Sequence, residues 1–292
     1  MQIAFVTYKD EANLTEDDNA LAQYLSKKNI FVNPVVWDDI KINWQGYDAI
    51  VLRSTWDYFE KTAEFNVWLD KIELLGCIVL NPVSVVRWNQ SKKYFLDLSH
   101  KGILIPPYQY LLKRTHSSLA DILKDNDWKK VVIKPAVSCG SFNTWIANSS
   151  PTAADELRFT EMLEKADVIV QKFMEEIITE GELSLIFFNK QFSHAISKRP
   201  KNGDFRVQLK FGGTTDPVVP GKKIVQQAAN LLSSINESLL YARVDGVIAG
   251  EDKFYLMELE LIEPRLSVSS NVKACENFYE ALLQLLPVNK QV

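Results

Sequence analysis

Across 292 residues there are three cysteines and three histidines. Cys77, Cys139 and Cys275 are scattered and odd in number. That argues against a disulfide frame or a zinc knuckle and for free thiols in a reducing cytoplasm. His100, His116 and His194 are equally dispersed, with no metal-ligand spacing between them or to a cysteine. No apolar run approaches the ~20 residues that span a bilayer, so no membrane segment is expected. The opening MQIAFVTYKDE lacks a basic stretch followed by a long apolar one and reads as a strand, so no secretory leader is expected. Surplus positive charge is missing too: 33 Lys and Arg face 37 Asp and Glu, a net charge of −4, which leaves no global basic field to recruit nucleic acid. Neither GxxxxGK[ST] nor GxGxxG occurs, so the two common glycine-rich phosphate motifs are excluded. There are no internal repeats or low-complexity tracts. With 47% hydrophobic and 24% charged residues the composition is globular, and the length suggests two or three packed lobes.

The first segment alternates strand and helix signals. Residues 3–7, 30–37 and 49–53 read as buried strands. Residues 17–27 and 62–75 read as helices, the latter placing Phe65, Trp68, Leu69 and Ile72 on one face. Such alternation predicts a parallel sheet flanked by helices. Residues 89–101 read as one helix stopped by Gly102. Beyond it the pattern changes. Strands are expected at 128–135 and 167–174, a hairpin at 182–188 and 191–197 turning on Asn189-Lys190, and a strand at 204–210. A helix at 221–240, paired strands at 243–249 and 254–261, and a terminal helix at 276–286 complete the order, an α+β region following an α/β lobe.

Three features carry chemistry. On the strand LMELELIEP, Glu258 and Glu260 are two apart and project from one face, where their repulsion calls for a positive partner. Asp245 lies on the preceding strand, and pairing the two would bring it close; oxygen-rich sets of this kind suit hard divalent cations. An edge strand with a solvated acidic face, or neutralisation by Lys and Arg, accounts for the same pattern. Next, VVIKPAVSCGS puts Lys134 at a strand end just before a small-residue loop. There Ser138, Gly140 and Ser141 let backbone N–H groups approach a phosphate; an ordinary strand exit with a solvated lysine is the plainer alternative. Finally, Arg53 and Ser54 follow an apolar strand, the end at which open α/β sheets bind ligands. Arg53 is therefore a candidate clamp for a substrate carboxylate, against a surface pairing with Asp57 or Asp48. Trp56, Trp68 and Trp88 read as packing residues.

Taken in order, these segments resemble the ATP-grasp superfamily, in particular its prokaryotic glutathione-synthetase-like branch. The ordered set is Lys92 on a helix, Lys134-Pro135 with the loop to Ser141, VIVQKFMEEI, Gly203-Asp204-Phe205-Arg206, Asp245, and Glu258-Leu259-Glu260 with Pro264. PVVWDD, VLRSTWDY, SHAISKRPKNGDFRVQ and MELELIEP are similar to ring-closing ligases of that branch. The resemblance implies an ATP-grasp fold: a pre-grasp α/β domain at 1–88 and a grasp domain at 89–292, with a lid subdomain at about 105–170. It implies a carboxylate–amine ligase acting through an acyl phosphate on amino-acid-like substrates, intramolecular cyclisation included. A small-molecule kinase and a non-catalytic nucleotide-binding protein are the alternatives. ATP and Mg2+ are the implied cofactors, and small-molecule carboxylates and amines the implied partners. No nucleic acid or membrane is expected, and a homodimer is left open.

Residue by residue, the resemblance implies Lys92 and Lys134 on the α- and β-phosphates, with Ser138, Gly140 and Ser141 as the phosphate loop. Adenine would lie beside Gln171, Lys172 and Phe173, with Glu182 on the ribose or phosphates. Arg206 would stabilise the transferring group, and Gln208 would contact metal or nucleotide. Lys198 and Arg199 would face the acceptor or the phosphates. Asp245, Glu258 and Glu260 would hold magnesium, Glu260 standing where the family has asparagine.

Overall fold

The computed structural model describes residues 1–286, so the last six residues of the expected second domain, 287–292, lie outside the described residues. The chain opens with β1 (Gln2–Thr7), α1 (Glu16–Ser26), β2 (Phe31–Val36), β3 (Ala49–Ser54), α2 (Thr62–Leu74) and β4 (Val79–Leu80). The strands form one parallel sheet in the order β2-β1-β3-β4. α1 and α2 supply the crossovers that parallel neighbours require. Thr15 caps α1 by accepting from the Asp18 amide, with three acidic residues in the first turn. α2 turns Phe65, Trp68, Leu69 and Ile72 inward, as its period predicts.

α3 (Val83–Gln90) and α4 (Tyr94–His100) then replace the single helix expected over 89–101. Ser91 between them is extended, at φ −109° and ψ 132°. A second, antiparallel sheet follows: β5 (Tyr108–Leu111), α5 (Leu119–Asp125), β6 (Lys130–Pro135), β7 (Trp145–Asn148), α6 (Ala153–Lys165) and β8 (Val168–Lys172), with strand order β5-β8-β6-β7. Its two helices enclose a separate core around Leu123, Trp145, Phe159 and Val170.

After α7 (Glu176–Thr179) comes the third sheet, made of β9 (Glu182–Phe188), β10 (Gln191–Arg199), β11 (Thr214–Val218), α8 (Lys222–Ser233), β12 (Tyr241–Ala249) and β13 (Lys253–Glu260). Its strands are antiparallel in the order β11-β10-β9-β12-β13. The β9–β10 hairpin turns on Asn189 and Lys190, both in the left-handed region, as a two-residue mirror-image turn demands. The strand expected over 204–210 is instead a loop ending in a short turn at Leu209–Phe211. Its cause is local: the Asp204 carboxylate accepts from the Phe205 and Arg206 amides and curls the backbone out of extension. α8 also stops short of the expected 240, where the Ser234 hydroxyl donates to the Leu231 carbonyl.

α9 (Ala274–Leu285) folds back beside α1, and Phe278 and Leu282 join Phe5 and Phe188 in a core shared by the first and third sheets. Buried side chains tie these sheets together. Asn81 donates to the carbonyls of Tyr241 and Leu261 and accepts from the Leu240 amide. Asn89 donates to the Leu259 carbonyl and accepts from the Leu261 amide. Tyr241 donates through its hydroxyl to the carbonyls of Leu52 and Ile262.

Candidate active site

The register of β12 on β13 sets the acidic centre. Asp245 stands opposite Glu258, and Arg243 opposite Glu260. Just past Asp245 the register slips, leaving Gly246 opposite Leu256. Only glycine fits there: a Cβ would lie 2.3 Å from the Phe254 ring and 2.5 Å from the Tyr255 carbonyl oxygen. The bulge thus lets the three expected carboxylates share one face.

They do not form a ready-made metal cage. Among the described residues no group of three His, Cys, Asp or Glu is disposed to hold a metal ion. Basic side chains take the carboxylates instead. Asp245 accepts from Ser184 at 2.5 Å, from Lys198 at 3.1 Å and from Arg243 at 2.9 Å. Glu260 pairs with Arg243, and Glu258 with Lys92 at 3.1 Å. Burial pushes the Asp245 carboxyl up, but Arg243 and Lys198 outweigh it and hold it down at about 2. Burial likewise opposes ionisation of Glu258, yet Lys92 and Lys134 keep it below its ordinary value. Glu260 goes the other way: burial dominates, Arg243 opposes it, and Asp245 and Glu258 help push it up to about 7. Of the three carboxylates, Glu260 is therefore the one whose ionised form is least well compensated.

Lys92 lies in the break between α3 and α4, not on a helix. Its amide donates to the Ala136 carbonyl at 2.8 Å, and its ammonium donates to the carbonyl and hydroxyl of Ser138. One residue so joins the small-residue loop to Glu258. On one side of this joint lies the larger of two clefts that share Lys92 and Glu258. Lys92, Lys134, Ser138, Gly140, Ser141, Glu182 and Arg206 give it a polar wall, and Val132, Ile177, Phe205 and Met257 an apolar one. Burial lowers the Lys134 ammonium to about 8, although Glu258 counters it. Arg206 is engaged by Asp204 at 2.7 Å and lies over the Phe211 ring. Among the described residues, Gln171 is 1% exposed and faces this cavity with neither amide atom bonded, and the buried side-chain Oε1 of Gln208 is also without a partner. Lys172 is exposed and its amide donates to the Pro107 carbonyl, while Phe173 is buried against Phe205 and beneath Lys130.

On the other side of Lys92 and Glu258 a second, smaller cavity is lined by Tyr58, Gln90, Cys139, Glu260 and Glu263. Burial, reinforced by Glu260 and Glu258, drives the Glu263 carboxyl well above the usual carboxylate range.

The expected substrate residues fare differently. Arg53 is not a free clamp. At 1% exposure it pairs with Asp18 at 2.7 Å, donates to the Pro264 carbonyl and stacks on Tyr241. Neither Asp57 nor Asp48 is its partner: Asp57 takes Trp37 and Lys61, and Asp48 takes the Gln2 amide. β3 is buried along its whole length, so a cation on it must be matched internally. The Ser54 hydroxyl is fully buried and unbonded. Lys198 bridges Glu182 and Asp245 at 3.1 Å each and so sits inside the carboxylate cluster. Arg199 is exposed and reaches only the Thr179 carbonyl. Arg243 was not anticipated. Its signal was present in ARVD, a cation two residues before an acid on one strand and therefore on the same face.

Residues 3–81 match the D-cycloserine synthetase DcsG N-terminal domain, and residues 105–267 match the prokaryotic glutathione synthetase ATP-grasp domain. The chain is 26% identical over 264 residues to the cycloserine biosynthesis protein DcsG of Streptomyces lavendulae, covering 86% of this chain and 87% of that one. A crystal structure of D-cycloserine synthetase DcsG superposes with a TM-score of 0.88 at 24% identity, covering 98% of this chain and 100% of that one. The D-alanine–D-alanine ligase of Bacillus anthracis complexed with ATP superposes with a TM-score of 0.69 at 14% identity, over 97% of this chain and 96% of that one.

Proposed function

The chain belongs to the family of the prokaryotic glutathione synthetase ATP-grasp domain, and from that premise we propose how its two cavities divide the work. It is an ATP-dependent ligase forming carbon–nitrogen bonds. The observation that carries the division is the shared wall: Lys92 and Glu258 line both cavities, so a group passing from nucleotide to acceptor crosses between them.

The larger cavity takes ATP. Its apolar wall and the unbonded Gln171 amide suit a purine, whose edge offers both donors and acceptors. Lys92, Lys134 and the loop of Ser138, Gly140 and Ser141 neutralise the phosphates, and Glu182 and Gln208 complete the polar wall. The substrate carboxylate attacks the γ-phosphorus, the bond to ADP breaks, and an acyl phosphate forms. An amine nitrogen then attacks the acyl carbon and phosphate leaves. Positioning and charge neutralisation dominate both steps. Arg206, freed from Asp204, and Arg243, beside Asp245, are the cations placed to take up charge on the transferring group and on the tetrahedral oxygen.

Clustered carboxylate oxygens are the donors that magnesium prefers. Asp245, Glu258 and Glu260 are its proposed ligands, and the metal when bound would neutralise the β- and γ-phosphates. We assign residues 1–88 to a pre-grasp domain and 89–292 to the grasp domain, with 105–170 as a lid built on the second sheet. The substrates are small amino-acid-like carboxylates and amines. Release of ADP and phosphate from Mg-ATP across an amino-acid and dipeptide panel tests this: full turnover needs both carboxylate and amine. Phosphate retained on the substrate would instead mark a kinase.

A further inference from the structure

The smaller cavity holds two polar groups with no partner among the described residues. Glu263 is 8% exposed, and its carboxylate neither accepts a hydrogen bond nor pairs with a cation. Its backbone carbonyl is held by the Trp56 indole, which fixes the residue from behind. Tyr58 is 4% exposed and lines the same space, and its hydroxyl makes no hydrogen bond. The two come from different lobes: Tyr58 follows β3 in the stretch RSTWDYF, and Glu263 follows β13.

Their surroundings make this more than a cluster of acids. Lys92 and Arg243 pair with Glu258, Asp245 and Glu260 and make no ion pair with Glu263, whose ionised form they favour only from a distance. A buried carboxyl group facing a cavity stays neutral until a guest supplies a cation beside it, which then favours the ionised form. A phenol hydroxyl facing the same space adds a neutral group that both donates and accepts. The guest that satisfies both is a small cationic nitrogen carrying several N–H donors.

We propose that this cavity is the subsite for the α-ammonium group of an amino-acid substrate, with Glu263 as its counter-ion and Tyr58 as its hydrogen-bond partner. The proposal rests on the ligase reading and deepens it by stating which substrates are accepted. An amino acid enters with its ammonium held on Glu263 and its carboxylate directed to the wall of Lys92 and Glu258. A carboxylic acid lacking that ammonium, or carrying it acetylated, loses the ion pair and leaves Glu263 buried and unmatched.

The test is a thermal-shift titration of the whole chain in saturating Mg-AMPPNP. The probes are the D and L forms of serine, alanine and 2,3-diaminopropionate, each beside its N-acetyl derivative. The free amino acids should add to the nucleotide shift and the N-acetyl forms should not, with an affinity gap of tenfold or more. Glu263→Gln should remove the gap while the shift from Mg-AMPPNP alone persists, which also shows that the variant is folded. Tyr58→Phe should narrow it. N-acetyl forms that bind as well as the free amino acids, no response to any probe, or an undiminished gap in Glu263→Gln would each overturn the proposal. A missing shift with Mg-AMPPNP alone would strike the nucleotide reading instead, so the two failures are distinguishable.

Discussion

Lys134 gives the site a pH dependence of known sign. Phosphate favours the charged lysine, and in the free protein burial holds that charge only up to about pH 8. Affinity for Mg-ATP should therefore fall above pH 8, by up to about tenfold per pH unit. Lys134→Arg, whose guanidinium stays ionised, should flatten the fall. Binding titrations between pH 6.5 and 9.5 check both; a profile unchanged by the substitution removes Lys134 from the phosphates. Glu258→Gln keeps shape and removes charge where both cavities meet. It should lower kcat roughly 100- to 1,000-fold with circular dichroism unchanged. Arg53 belongs to stability. Asp18→Ala strands a buried guanidinium and should cost about 3–5 kcal/mol in urea denaturation, whereas removing an exposed pair such as Lys223–Asp252 should cost under about 1 kcal/mol.

Among the elements, the bulge between β12 and β13 is the most exacting. Gly246→Ala drives a methyl into the Phe254 ring and should cost about 1–3 kcal/mol, together with activity, because the slip that it enforces places Asp245 opposite Glu258. Stability and ADP release measured on one preparation check this. Elements whose signal is local could be read from the chain. β1, β3 and α2 carry unbroken apolar patterns, and the Asn189-Lys190 turn lies between two strands of matched pattern. Elements set by distant partners could not. Ser91 breaks an otherwise helical stretch where the Lys92 amide is drawn to Ala136 just past β6, and short strands such as β5 and β7 carry too few residues for a clear alternation. The site divides the same way. Glu258 and Lys134 were visible through strand position. The commitment of Arg53 to Asp18, 35 residues away, and the opening of Tyr58 and Glu263 onto one cavity exist only once the lobes have met.

For the molecule as a whole, Mg-ATP should act as a ligand of the native state alone. At roughly a hundred times its dissociation constant it adds about 2.7 kcal/mol, a rise in Tm of about 4 °C at this chain length. Scanning calorimetry with and without Mg-ATP checks it. The second sheet keeps its own core, while the first and third share one and are laced by Asn81, Asn89 and Tyr241. That lacing determines how the protein can be recombined. A chimaera that replaces the first lobe by a relative's loses Asn81 and puts its seam beside Asn89, and these two are half of a fitted joint whose other half is main chain near Leu240 and Leu259–Leu261. A cut placed between these asparagines and the backbone they grip separates mated parts. The segment from Lys101 to Lys172 is the natural cassette, because exchanging it leaves that joint intact.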